Sequence, residues 1–170
     1  MNYLEKLNIA RKATRVMHKL KIRLLDDEIY TFSTLSFKEA EIFQDITKKQ
    51  YREYPNIDNI VNIVNGLEYE NDKDGNSKQV TATEEQRELC DKFEKASVAS
   101  AFDTLLSSIS KCHEKFRISP TRSKEAIIDE LKELIDLRDM PKLAQFAMSG
   151  IYKSDDDEDI AYNEVIDLTK

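Results

Sequence analysis

The chain has few residues that bend a backbone: three glycines and three prolines in 170 positions. Sandwiches and barrels need tight turns at short intervals, so this scarcity points to long helices. There is no tryptophan, and there are only two cysteines, Cys90 and Cys112. On one helix those cysteines stand roughly 33 Å apart, far beyond the ~7 Å Cα separation a disulfide tolerates. Both are expected to be reduced, which suits the cytoplasm. No apolar run approaches the ~18 residues that span a bilayer, and the charged N-terminus lacks the apolar stretch of a secretory signal.

Chemistry-bearing motifs are scarce too. No glycine-rich loop is available to cradle a phosphate, and no serine sits in a nucleophile elbow. Cys112 and His113 adjoin, so on a helix their side chains diverge by about 100° and do not converge on one metal. His18 falls on the apolar face of a predicted strand and reads as a half-buried histidine. The stretch Glu70–Asn76 has part of a calcium-loop pattern, but the bidentate Glu is missing: Thr81 stands in its place, so a polar turn is expected. Net charge is −7, which argues against general affinity for nucleic acid. These absences lead us to expect a protein that is not an enzyme, with no cofactor, no metal and no membrane span.

What is present is helical periodicity. Between Thr83 and about Arg117 there is no Gly or Pro, and apolar residues recur at Leu89, Phe93, Ala96, Ala99, Phe102, Leu106, Ile109, Cys112 and Phe116. Steps of three and four residues set these on one stripe of a helix. Thr83 with Gln86 is a capping box that opens it. A rod of roughly 50 Å with one apolar face is not stable alone, so other segments are expected to lie along it.

The flanking elements follow. Asn2–Ala13 is a short amphipathic helix. Residues 16–25 alternate, with Val16, His18, Leu20, Ile22 and Leu24 on one face and Lys19, Lys21 and Arg23 on the other. Around Asp26-Asp27 this pairs with Glu28–Leu35 as a hairpin whose edges stand open to another copy. Ser36 with Glu39 caps a helix from Phe37 toward Pro55. Asn56 or Asp58 caps a short helix stopped by Gly66, and residues 68–82 form a polar loop. After Ser119-Pro120, Ser123–Leu137 is a helix, and Asp139 caps another with Pro141 in its first turn. The acidic run Asp155–Asp159 is a linker to a short apolar segment that docks on its own core or on a partner. The basic residues 1–25 and the acidic end read as two solvated ends, or the acidic end lies near the basic one in this chain or a neighbouring copy. The fold expected is mainly α, one helical domain over 1–152 organised on the helix at about 83–117, with a β-hairpin at about 16–35; residues 153–170 form the acidic linker and tail.

Two passages are similar to a known family. Leu35-Ser36-Phe37-Lys38-Glu39, following the hairpin within residues 21–41, resembles the opening of tail assembly chaperones from tailed bacteriophages. Residues 134–150, a helix, an acidic turn and a helix ending in Ser149-Gly150, resemble their C-terminal step. The Lys-, Asn- and Ile-rich composition suits an AT-rich genome. The resemblance implies a helical, non-enzymatic protein that coats the tape measure protein in the host cytoplasm until the tail tube forms. Alternatives from other classes are a structural component retained in a virion or other assembly, and an acidic regulator that blocks a nucleic-acid-binding partner. The hairpin and long helix are the expected working surface. Tyr30, Phe32, Phe37 and Phe43 form one candidate partner-binding patch, and Leu143 and Phe146 a second. Homo-oligomerisation is compatible with the open hairpin edges.

Overall fold

The structure, a computed structural model, describes residues 17–153 and 165–169. The expected helix at Asn2–Ala13, the strand residue Val16 and the acidic run Asp155–Asp159 lie outside the described residues. The described chain is mainly α with small β-sheets: β1 (Lys19–Arg23), β2 (Ile29–Ser33), α1 (Phe37–Glu53), α2 (Ile57–Val64), β3 (Tyr69–Asn71), β4 (Ser77–Gln79), α3 (Glu84–Ile109), α4 (Lys124–Leu134), α5 (Met140–Ser149) and β5 (Val165–Asp167). A 3-10 turn at Glu114–Phe116 follows α3. Two compact units divide the chain, one from residues up to Phe43 and from Ala101 onward, the other from Gln44–Ser100.

In the first unit, β1 and β2 pair antiparallel with Leu20 opposite Phe32 and Ile22 opposite Tyr30. Alternation puts Leu20, Ile22, Leu24, Tyr30 and Phe32 on the covered face, and all five are buried. The turn is acidic, as expected. Asp27 takes the left-handed region at φ 65°, and Asp26 accepts the Glu28 backbone N–H at 3.1 Å and the Tyr30 hydroxyl at 2.7 Å. Asp tolerates that conformation better than most side chains.

The hairpin's edges are not open as expected. On the β2 edge, Ser108 Oγ donates to the Ser33 carbonyl at 2.6 Å, and His113 Nε2 accepts the Thr31 backbone N–H at 2.7 Å. On the β1 edge, the C-terminal β5 pairs parallel, with Ile22 opposite Ile166, giving the strand order β2-β1-β5. Backbone donors and acceptors near a core require partners, and here side chains and the tail supply them.

The core of this unit is completed by Phe102, Leu105, Leu106 and Ile109 of α3, Phe116, Ile127 and Leu131 of α4, and Leu143, Phe146 and Ala147 of α5. Ser123 Oγ accepts the Ala126 N–H at 3.3 Å and opens α4. Asp139 stands at the N-cap of α5 with no side-chain cap bond. The preceding Asp136 instead accepts the Arg138 backbone N–H at 2.8 Å and the Arg138 guanidinium at 3.0 Å. Pro141 sits in the first turn of α5, and Gly150 ends it at φ 77°.

The expected rod to Arg117 stops earlier. α3 ends at Ile109, Cys112 lies outside it, and the chain turns so that the backbone N–H groups of Cys112 and His113 both donate to Ile109 O. No Gly or Pro marks that stop; the turn delivers His113 to the β2 edge. The single apolar seam is also corrected. Ala99 is exposed and Phe93 half-buried, whereas from Phe102 to Ile109 burial spreads round the helix to Thr104, Leu105 and Ser108.

The second unit is smaller and wetter. Gln50 Nε2 donates to Phe93 O at 3.1 Å and to Ser97 Oγ at 2.8 Å, and the rings of Tyr51 and Tyr54 meet Phe93 edge-on. The Thr83–Gln86 capping box forms reciprocally, at 2.9 and 3.2 Å. Asn56 precedes α2 but makes no side-chain cap bond. The expected loop 68–82 is a hairpin, β3 with β4. Its turn is built by Asp72 Oδ1 accepting the N–H groups of Asp74 and Asn76, at 2.9 and 2.8 Å, with Gly75 at φ 80°. These donors, the Asn76 N–H foremost, hold the Asp72 carboxyl below its ordinary range.

Candidate protein-binding surface

Within the first unit a cleft of about 400 Å³ opens between the end of α3 and the segment that follows it. Its floor is Leu106 and Phe116, both buried, and its walls are Phe43 and the exposed Ile118. The rim is charged: Lys124 Nζ pairs with Asp103 at 2.9 Å, and Arg117 Nε donates to Ser110 O at 3.1 Å. An apolar floor inside a polar rim is the usual make-up of a protein-binding patch. Ile118 is 61% exposed, a large apolar side chain left at the surface where the chain leaves Phe116 for the Ser119–Arg122 turn.

A second, polar cleft of about 700 Å³ is lined by Met17, His18, Lys19, Lys21, Thr31, Lys111 and Cys112. Its cations are not equivalent. Lys111 Nζ is held by Glu39 at 2.5 Å, while Lys19 and Lys21 project from the exposed face of β1.

Glu39 connects the α1 cap to α3. One carboxylate oxygen accepts the Ser36 backbone N–H at 2.8 Å and the Lys111 ammonium; the other accepts the Ser107 hydroxyl at 3.2 Å. Burial by itself raises the Glu39 pKa, but the Lys111 and Ser36 bonds outweigh it and hold the carboxyl below its usual range. Tyr30 sits between Asp26 and Lys115. Lys115 Nζ donates to the Tyr30 hydroxyl at 2.7 Å and lies 4.6 Å above its ring, and burial pushes the phenol up. These titratable groups fasten backbone and rings. Among the described residues no group of three or more His, Cys, Asp or Glu is placed to hold a metal ion.

The six residues named from the sequence separate by burial. Tyr30, Phe32, Leu143 and Phe146 are covered by the chain's own core, Phe32, Leu143 and Phe146 completely. They cannot meet a partner unless that core opens. Phe37 is 38% exposed, and Phe43 is half-buried and lines the apolar cleft. Arg117 stands at the end of the predicted helix and Ile118 between that end and the Ser119-Pro120 break, so neither is singled out by the sequence. The available signal was a lone apolar residue just before Ser119-Pro120, with no periodic partner.

The two passages that carry the family resemblance are interlocked. The Leu25 N–H donates to Leu134 O at 3.2 Å, and the Leu35 N–H to Ala147 O at 2.8 Å. Gly150 lies against His18 and Thr34, so close that a Cβ there would be 3.0 Å from His18 Cδ2. Compared with known proteins, the chain matches no family model, no curated protein and no solved structure. Among the described residues no helix is long and apolar enough to cross a membrane.

Proposed function

We propose that this chain is a non-enzymatic assembly chaperone of a tailed bacteriophage that holds the tape measure protein in the host cytoplasm before the tail tube closes around it. The observation that carries the reading is the interlock just described. The hairpin-to-helix passage and the helix-turn-helix passage, each similar to that family, bond to each other through Leu25–Leu134 and Leu35–Ala147. The Ser36–Glu39 step within the first passage closes as a reciprocal capping box. On this reading α3 and the β1–β2 hairpin are the organising elements, and several copies gather on one client.

The client contact in this proposal is the cleft of Phe43, Leu106, Phe116 and Ile118. A long amphipathic helix offers apolar side chains at regular spacing, and a groove with an apolar floor and a charged rim accepts such a helix. The test is co-expression with the tape measure protein encoded beside this chain, followed by pull-down. Enrichment over an unrelated coiled coil of matched length supports the reading, and equal recovery of the two rejects it. Recovery of the chain from purified particles would point instead to a retained structural component, because a chaperone leaves.

A further inference from the structure

We propose that His113 is a proton-operated latch on the apolar cleft. The neutral imidazole holds the segment 110–118 against β2 and so forms the cleft; the imidazolium lets that segment go and takes the cleft apart. The inference rests on the reading of this cleft as the client site, and it names how that site is regulated.

The segment supplies Phe116 of the cleft floor and Ile118 of its wall. α3 has ended at Ile109, and the 3-10 turn at Glu114–Phe116 is the regular structure that follows. The position of the segment is therefore set by what it is tied to. One tie is the His113 Nε2 that accepts the Thr31 backbone N–H at 2.7 Å. The other runs through Lys115, which donates to the Tyr30 hydroxyl at 2.7 Å, pairs with Glu130 at 3.5 Å, and receives an Arg122 bond on its carbonyl. Phe116 depends on His113 directly. Its N–H donates to His113 O at 3.2 Å, and its ring joins those of His113 and Tyr30 in an edge-on cluster with centroids 5.4 to 6.4 Å apart.

One proton acts on both ties. A protonated imidazole nitrogen only donates, and a backbone N–H only donates, so the Thr31 bond becomes two donors facing each other. The new charge also arises beside a cation, because the Lys115 ammonium lies 4.6 Å from the Tyr30 ring that His113 meets. The other groups around the imidazole do not offset this. β1 brings Lys21, opposite Thr31 in the ladder, and the end of α3 brings Lys111 and the Cys112 thiol. The nearby carboxylates are engaged: Asp26 by the Tyr30 hydroxyl, Glu39 by Lys111, and Glu130 by Lys115 and Arg122. Glu114 is exposed to solvent. Burial and the Lys115 charge hold the His113 pKa below its ordinary value, so the latch is shut at neutral pH and opens as pH falls through the folded pKa.

The experiment is an NMR titration of the full chain, labelled at isoleucine methyls and phenylalanine rings, with a soluble paramagnetic agent reporting exposure. The Ile118 methyl and the Phe116 ring are expected to titrate together with the His113 imidazole, at a midpoint below the ordinary value of about 6.5. Paramagnetic broadening of the Phe116 ring, buried at neutral pH, should rise at least about threefold as this segment opens locally. The methyl of Ile57, buried in the second unit, should stay unchanged, which separates the latch from global unfolding. His113→Gln keeps an acceptor at every pH and should abolish the changes, while His18→Gln, which removes the other histidine, should leave them. The proposal is overturned if Ile118 and Phe116 stay fixed while His113 titrates, if Ile57 moves in step with them, or if the changes persist in His113→Gln. Should that variant not fold, the midpoints compared within the wild type still decide. No client is used, so the titration and the tape measure pull-down fail separately.

Discussion

His113 Nε2 lies 2.7 Å from the Thr31 backbone nitrogen and accepts its N–H, across 82 positions of sequence. The acceptor must be a neutral imidazole nitrogen. Burial first, and the Lys115 charge second, hold the His113 pKa below its ordinary value. The sign follows from linkage. Between the lowered folded pKa and the ordinary unfolded value of about 6.5, the unfolded chain binds a proton that the folded chain does not. The stability this contributes is complete above about pH 6.5 and is lost as pH falls through the folded pKa. Thermal melts from pH 7 to pH 5 should therefore show a falling Tm. His113→Gln, which keeps an acceptor and removes the titration, should flatten that part of the slope. The protection factor of the Thr31 amide, its exchange divided into the intrinsic rate at each pH, should fall over the same interval in the wild type alone.

Glu39 supports a second prediction. Its carboxylate serves the α1 cap and the Lys111 ammonium together, with both side chains less than a third exposed. Glu39→Gln retains an acceptor for the Ser36 N–H and loses the ion pair. Glu39→Ala loses both and leaves Lys111 without its carboxylate. We expect losses of about 1 kcal/mol for Gln and about 2 kcal/mol for Ala in urea unfolding. The Glu39 pKa is lowered, so its contribution holds above the unfolded carboxyl pKa and fades as pH falls through the folded one. The wild-type advantage over Glu39→Gln should shrink in acid.

Gly150 is a third. At φ 77° it occupies a region that a Cβ strains, and that Cβ would also press on His18 Cδ2 at 3.0 Å. Gly150→Ala should cost about 1–2 kcal/mol through these two effects, read from the urea midpoint at unchanged m-value. Gly75→Ala is the control: its φ is similar, but nothing lies within 4 Å of the added Cβ. The difference between the two variants isolates the cost of the His18 contact.

The apolar cleft separates binding from stability. Ile118→Asp changes an exposed side chain, and Phe43→Ser a half-buried one. Ile118→Asp should leave Tm within a few degrees and lower recovery of the tape measure protein about tenfold, the usual scale of a lost anchor at an interface. Phe146→Ala opens the core and should cost about 3–5 kcal/mol. If capture falls only in Phe146→Ala, in step with unfolding, the cleft is not the client site.

Local chemistry was legible where a few neighbouring residues settle it. The reciprocal bonds of Ser36 with Glu39 and of Thr83 with Gln86 and the acidic turn at Asp26-Asp27 are all short-range. Each depends on side chains that reach backbone groups two to four residues away. The stretch 68–82 reads as a loop in the sequence because its strands are three residues long and exposed, so they carry no alternation to detect. Asp72 organises that turn through its own carboxylate.

The candidate surface was less legible. Spacing marks a residue as apolar on a face, and does not say whether that face is covered. Leu143 and Phe146 share the helical periodicity of Phe43, Phe32 alternates on a strand, and burial alone separates these three from Phe43.

From the sequence alone came the mainly helical class, the capping boxes at Ser36 and Thr83, the turn at Asp26-Asp27, the alternating faces of β1, and the two passages that suggest a tail assembly chaperone. These rest on contacts between near neighbours or on pattern periods. Only the tertiary structure decided that α3 ends at Ile109, that Ser108 and His113 close the β2 edge, and that Val165–Asp167 returns to β1. The last two join groups far apart in the chain and answer a backbone demand for hydrogen-bond partners that local patterns do not encode, and the end of α3 is what brings His113 to that edge.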